Sequence, residues 1–505
     1  MSGPSSAHVE QEVKLGAWPG FEMPDLADAV PGVVVEEEPA LDLVATYVDT
    51  PDLQLVRNGV SLRRRTGEGA TRWTLKLPTA GGGSGLSRRE LDVVDDGDAV
   101  PGELADLVTG WVRRAPLVPV TVIASHRRRL RLRNAEDAEL AEVDDDEVSV
   151  LDEGEVVARF REVEVELGPG GCSELLEQVA AALTAAGAGA PDPTPKVARA
   201  LGPRSLVPSE LEAPELDGGA SMAAVVTASL RRSVGQLVAH DHVVRLDDDI
   251  EGVHRARVGT RRLRSDLRTL APVLAEGWAD RLRGELRELA TDLGRVRDHD
   301  VLLARLGAAV ATLPEGDRPA AAEVVARVAA PRAGEQAELL EVMRSERYLA
   351  LLDDLVAAAT EPRLGEGADE PARRVLPGLV RPRWTQLRKT VADLGPDPDS
   401  AALHGVRILV KRARYASELA GPVVGEGAAA LGVALADLQD VLGDLHDTEV
   451  AEARLRSLLP GLGSGERFAA GELVATERAQ RAHLRAAWPE AWAACDRKSL
   501  TGWLR

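Results

Sequence analysis

Across 505 residues the chain sets 61 Lys and Arg against 82 Asp and Glu, a formal net charge of −21, with 44% hydrophobic and only 3% aromatic side chains. At about 100–200 residues per domain, this length predicts at least two domains, each with its own core. Two distant cysteines, Cys172 and Cys495, are too few for a disulfide framework or a cysteine zinc site. No segment has the basic-then-apolar order of a leader or the roughly 18 apolar residues of a membrane span, so a reduced, cytoplasmic protein is expected.

In chain order, residues 1 to about 200 carry short alternating runs (HVEQEVKL, TRWTLKLP, SRRELDV, FREVEVEL) that have the period of strands. A Pro, Gly and acidic stretch without periodicity follows, read as a linker over 204–220 between a first domain, 1–203, and a second, 221–505. From Ser221 onward the sequence is rich in Ala, Leu and Arg at helical spacing and holds 40 basic and 42 acidic residues, which leaves 21 and 40 among the first 220. The acidity therefore belongs to the strand-rich part, and overall it argues against broad nucleic-acid binding. The helical part also repeats itself. RVGTRRLR after His254 matches RILVKRAR after His404 at an offset of 150, and LGRVRDHDVLLARL from Leu293 matches LGDLHDTEVAEARL from Leu442 at 149. Two tandem, pseudo-symmetric helical bundles are expected.

Alternate positions of a strand face opposite ways, so each strand's charged set can be listed. Glu10, Glu12 and Lys14 oppose Val9, Val13 and Leu15; Arg72, Thr74 and Lys76 oppose Trp73, Leu75 and Leu77; Glu162, Glu164 and Glu166 oppose Val163, Val165 and Leu167. An antiparallel sheet with one face in water is the ordinary meaning of this alternation. The polar faces are unusual in being charged throughout, with acids on some strands and Arg63, Arg65, Arg127, Arg129 and Arg131 on others. A sheet closed into a barrel with that face inward would line a cavity suited to a polyanion and its metal ions.

The ExExK of Glu10, Glu12 and Lys14, YVDTPDLQL around Asp49, LRRR ending at Arg65, LKLP around Lys76, RELD after Arg88, REVEVEL and a closing Lys196 together resemble the CYTH domain of the triphosphate tunnel metalloenzymes. The resemblance implies an eight-stranded antiparallel β tunnel with flanking helices, a Mg or Mn cofactor and a triphosphorylated substrate. It implies metal ligation by Glu10, Glu12, Glu162 and Glu164, with Asp144 as a further ligand or, equally, part of a solvated acidic turn. Lys14, Arg63, Arg65, Lys76, Arg88, Arg127, Arg129 and Lys196 would grip phosphates, with the register among Arg127, Arg128 and Arg129 left open. Glu10, Glu12 and Lys14 would form the catalytic core.

In the helical part, His254, Arg257, Arg261 and Arg264 stand at i, i+3, i+7 and i+10, and His404, Arg407, Lys411 and Arg414 repeat the spacing. One such face is ordinarily a solvated one; two copies brought together would form a positive groove, with Val258, Leu263, Ile408 and Tyr415 turned toward the core. The HxxRVxxRRLR-like helix resembles the CHAD domain, an all-α module associated with inorganic polyphosphate. This resemblance adds Arg262 and Arg412 to the phosphate-binding set and lets Asp298, Asp300, Asp447 and Glu449 orient the arginines.

The chain is thus expected to be an α+β, two-domain hydrolase of inorganic triphosphate or short polyphosphate whose helical domain binds polyphosphate. Polyphosphate granules are a site of association consistent with that reading. The alternatives are a non-catalytic polyphosphate-binding protein, and a thiamine triphosphatase or adenylate cyclase. Membrane and nucleic-acid partners are not expected, since the basic helices lack the interleaved aromatics of single-strand binders.

Overall fold

The computed structural model describes residues 6–78 and 86–504, with the side chains of 6–10 and 86–87 left aside. These residues fall into two compact units that meet in sequence at Ser209 and Glu210. The first is built on β1 (Ser6–Ala17), β2 (Val34–Glu37), β3 (Leu41–Asp49), β4 (Ser61–Thr66), β5 (Arg72–Pro78), β6 (Leu86–Val94), β7 (Val118–Arg133), β8 (Glu139–Asp152) and β9 (Glu155–Leu167).

Antiparallel pairing runs β7-β3-β4-β5-β6-β1-β9-β8 and returns from β8 to β7, a ring of eight strands; β2 adds to the far end of β7. Closure explains the alternation. The outward apolar side chains Leu15, Val163 and Val165 pack with Leu175, Leu176, Val179 and Leu183 of α1 (Ser173–Ala185) into a buried core. The charged positions face a lumen and are buried too, Glu12 at 2% exposed and Arg127 at 7%. Asp49 has a different task. Its carboxylate accepts hydrogen bonds from the backbone N–H groups of Thr50, Leu55 and Val56 at 2.6, 2.8 and 2.9 Å, fixing the short turn between β3 and β4. After α1, a Pro-rich segment leads into α2 (Lys196–Leu201), whose first residue points its ammonium into the lumen.

The second unit is helical: α3 (Met222–Leu246), α4 (Ile250–Leu270), α5 (Trp278–Thr312), α6 (Arg318–Ala329), α7 (Arg332–Met343), α8 (Glu346–Thr360), α9 (Ala372–Ala392), α10 (Ser400–Val424), α11 (Glu426–Leu458) and α12 (Ser464–Cys495). The repeat is carried into three dimensions. Asp249 and Asp399, 150 residues apart, cap α4 and α10, accepting from the N–H groups of Glu251 and Ala402 at 2.8 Å each. Val253, Ala256 and Leu263 are buried on α4, and Leu403, Val406 and Ala413 at the equivalent places on α10. Leu263 and Tyr415 are buried as expected. Val258 instead stands on a cavity wall and Ile408 is 39% exposed, because both share the cationic face rather than the core stripe.

Candidate functional site

The lumen of the ring is a cavity of about 270 Å3. Nine basic side chains stand on its wall among the described residues: Lys14, Arg63, Arg65, Arg72, Lys76, Arg88, Arg127, Arg129 and Lys196. Seven acids face them: Glu12, Glu68, Glu90, Glu142, Asp144, Glu164 and Glu166. Strand register sorts them. On the β7–β8 ladder Arg127 lies opposite Asp146 and Arg129 opposite Asp144, while Arg128 turns outward to Glu37 at 2.9 Å. Period-two geometry therefore settles the arginine register: Arg127 and Arg129 enter the lumen together.

The wall is cross-linked by charge. Arg127 reaches Asp146 through Nε at 2.8 Å and Nη2 at 2.7 Å, contacts Asp144, and lies 3.4 Å from Glu164. Lys14 lies 2.9 Å from Glu164 and 3.1 Å from Glu12; Lys76 lies 2.8 Å from Glu90. Burial works against an ionised Glu164, yet Lys14, Lys196 and Arg127 outweigh it and hold its carboxyl well below the usual range. Glu142 behaves oppositely. Burial and the charge of Asp144 push it up to about 7 against the pull of Arg129 and Arg131.

Asp144, Asp145 and Asp146 are strand residues of β8 and buried, so the solvated-turn reading falls: β8 continues through them and pairs on both edges. Asp145 faces outward and is gripped by Arg161, with Nε at 2.8 Å and Nη2 at 2.7 Å. Glu162 is fully buried but lies off the cavity wall, 3.2 Å from Lys196 and 3.1 Å from Arg199. It shares a face with Glu164 and differs in depth, which strand periodicity does not report. The backbone of Glu10 pairs with Arg88 in the β1–β6 ladder; its side chain lies outside the described residues. Arg72 and Glu166, placed on charged strand faces by the alternation but given no role, stand on the wall as that face predicts, as does Glu90 two residues after Arg88; Glu68 and Glu142 were not selected from the sequence.

The donors suit a hard divalent ion. They are carboxylates, and the charge of Asp144 presses on that of its neighbour Glu142. Among the described residues no three His, Cys, Asp or Glu side chains are already gathered around one point.

In the second unit a cavity of about 320 Å3 joins the repeats. α4 contributes His254, Arg257 and Arg261; α5 contributes Arg297, Asp298 and Arg305; α10 contributes Arg407 and Lys411; α11 contributes His446 and Asp447. A shallower basic groove shares Arg261 and Lys411 with it and continues over Arg264, Arg268, Arg283 and Arg412. Arg257 is paired with Asp298 at 2.6 Å, while Asp300 turns instead to Arg332 at 2.8 Å and Glu449 accepts from Ser400. Arg261, Arg407 and Lys411 have no salt bridge within the described residues. Burial and the neighbouring Arg261, Arg407 and Arg257 push the Lys411 ammonium down to about 7.

Three expected members are elsewhere. Arg262 and Arg414 both bind Glu418, Arg414 at 2.7 Å, and both lie over the Tyr415 ring, so their charge is spent between α4 and α10. The two copies differ here because Glu418 follows Arg414 by one helical turn, whereas Arg268 follows Arg264. His404 is exposed and rests its ring 4.9 Å from that of His446. Arg297, Arg305 and His446 were missed, though the 149 offset aligns Arg297 with His446.

The closed lumen and its charges define a tunnel protein carrying a second, helical module. Comparison agrees: the CYTH domain matches residues 24–199 and the CHAD domain residues 228–456. An uncharacterized protein of Mycobacterium tuberculosis (Rv2226) is 33% identical over 471 residues, 89% of this chain and 88% of that protein. The chain belongs to the family of CYTH–CHAD proteins. Among solved structures, PptA from Streptomyces chartreusis is 23% identical, covering 54% of this chain and 100% of that one with a TM-score of 0.46. The CHAD domain from the plant Ricinus communis is 27% identical, covering 58% and 95%, with a TM-score of 0.42. In the described residues no helix is long and apolar enough to cross a membrane.

Proposed function

We propose that the tunnel unit hydrolyses inorganic triphosphate or short polyphosphate and that the helical unit binds polyphosphate chains. The observation that carries this reading is the lumen itself, where nine cations and seven carboxylates share about 270 Å3. A condensed phosphate chain offers several anionic oxygens in a row, and guanidinium forks and ammonium groups bind them by charge-assisted hydrogen bonds. Tyr47 is the one aromatic side chain on the wall among the described residues, which favours an inorganic chain over a nucleotide or thiamine ester.

Lys14, Arg63, Arg65, Lys76, Arg88, Arg127, Arg129 and Lys196 are assigned to orienting the chain. Glu12, Glu164 and Asp144, with Glu10 and Glu162, are assigned to holding Mg or Mn, which when bound supplies neutralising charge at the substrate oxygens. Lys14 starts paired to Glu12 and Glu164; substrate oxygens would compete for its ammonium and free those carboxylates. The transferred phosphoryl group then meets a fixed field that needs no rearrangement as charge develops, and water takes it. The cytoplasm and its polyphosphate granules are the location this reading implies.

The test is phosphate release by the full chain from triphosphate, ATP, thiamine triphosphate and long polyphosphate, with Mg or Mn. Triphosphate is expected to be turned over and Glu12→Gln to lower kcat on the order of 100-fold while the fold persists. A folded Glu12→Gln protein with wild-type turnover would remove Glu12 from the machinery, and wild-type inactivity across the panel would favour a binding-only protein.

A further inference from the structure

Glu68 occupies a place where an anion belongs. It lies on the turn joining β4 to β5, and its two oxygens reach two different wall arginines: Oε2 is 3.0 Å from Arg65 Nη2, and Oε1 is 2.9 Å from Arg129 Nη1. Arg65 makes no other ion pair within the described residues. Other wall acids, such as Asp144, are strand residues locked by register, whereas Glu68 is carried by a loop and its side chain is 31% exposed. Both flanking residues are glycines in the left-handed region, Gly67 at φ 105° and Gly69 at φ 66°. A Cβ on Gly67 would come within 2.0 Å of the Asp42 carbonyl oxygen, while one on Gly69 would meet nothing, so the turn is anchored on one side and open on the other.

We propose that Glu68 is a specificity-determining residue of the tunnel: its carboxylate stands in for one phosphate and sets how long an oligophosphate the lumen accepts. The inference rests on the oligophosphate reading above. Carboxylate and phosphate compete for the same guanidinium forks. On the β7–β8 ladder Arg127 and Asp146 lie toward Lys196, Arg129 and Asp144 come next, and Glu142 lies beyond. A short anion seated on Lys14, Lys196 and Arg127 leaves the Glu68 clamp intact. A longer one that continues along β7 reaches Arg129 and Arg65 and displaces it.

The experiment compares dissociation constants of pyrophosphate and tetraphosphate for the full chain, wild type against Glu68→Gln and Glu68→Ala; the unaltered helical unit contributes equally to each protein. Glu37→Gln, which removes a carboxylate on the outer face beside Arg128, is the control and should change neither constant. Both Glu68 variants should tighten tetraphosphate about tenfold more than pyrophosphate, the scale of one charged hydrogen-bonding contact regained. Equal tightening of both anions would reduce Glu68 to one negative charge among several and overturn the proposal, as would no change in either. A wild-type chain that binds neither anion would overturn the oligophosphate reading itself, and the clamp with it.

Discussion

An ammonium hemmed in by guanidiniums loses its proton easily, and Lys411 is the case here, pushed down to about 7 by burial and by Arg261, Arg407 and Arg257. Its folded value lies below its ordinary 10.5, so between these pH values the unfolded chain binds more protons and this residue's penalty on stability eases as pH rises. A bound polyanion reverses the local field and returns the proton, so polyphosphate affinity should fall as pH rises above 7. His254 and His446 are pushed below the usual histidine range, by burial first and then by nearby cations. Between pH 7 and pH 8.5 at constant ionic strength the dissociation constant should rise about three- to tenfold, and Lys411→Arg should flatten the profile. An equally steep profile in Lys411→Arg would exclude Lys411 as the titrating group.

At the scale of the element, α5 and α11 each place a glycine beneath a repeat arginine. A Cβ on Gly294 would sit 3.7 Å from the Arg257 guanidinium, and one on Gly443 would sit 3.6 Å from that of Arg407. That is ordinary contact, so Gly443→Ala should be accepted and gain up to about 1 kcal/mol from helix propensity. Gly443→Leu should push the guanidinium aside and weaken polyphosphate binding while thermal stability holds. Full affinity in a stable Gly443→Leu protein would show that Arg407 does not need this seat. The helices and strands themselves were legible because their periods, 3.6 and 2, are local properties. Depth was not: Glu162 and Glu164 share a face of β9, but only Glu164 reaches the cavity wall, since the tilt of a closed ring sets how far along the lumen each side chain stands.

For the whole molecule, each unit holds its own core and its own charged cavity, so function should divide with the chain. Residues 1–209 alone should release phosphate from triphosphate with a metal requirement, and residues 210–505 alone should bind long polyphosphate with an affinity that falls steeply with salt, as counterion release requires. If both folded fragments were inert while the full chain was active, the activities would need the two units joined. Within the helical unit, charge reversal at Arg283, which lines the basic groove, should weaken polyphosphate binding, whereas reversal at Arg347, exposed and paired with Glu288, should not.

The sequence by itself determined that strands precede helices, that the helical part is duplicated, and which strand faces are charged, because each of these is written in short-range periodicity or in a constant offset. Whether the charged face looked into water or into a lumen needed the β7–β8 pairing that closes the ring. Which charges remain available to a ligand was also decided only in three dimensions. Glu418 captures Arg262 from 156 residues away, and Glu68 captures Arg129 from 61 away. Ion pairing depends on separation in space, and a helix or strand period carries no record of what another part of the chain will bring within reach.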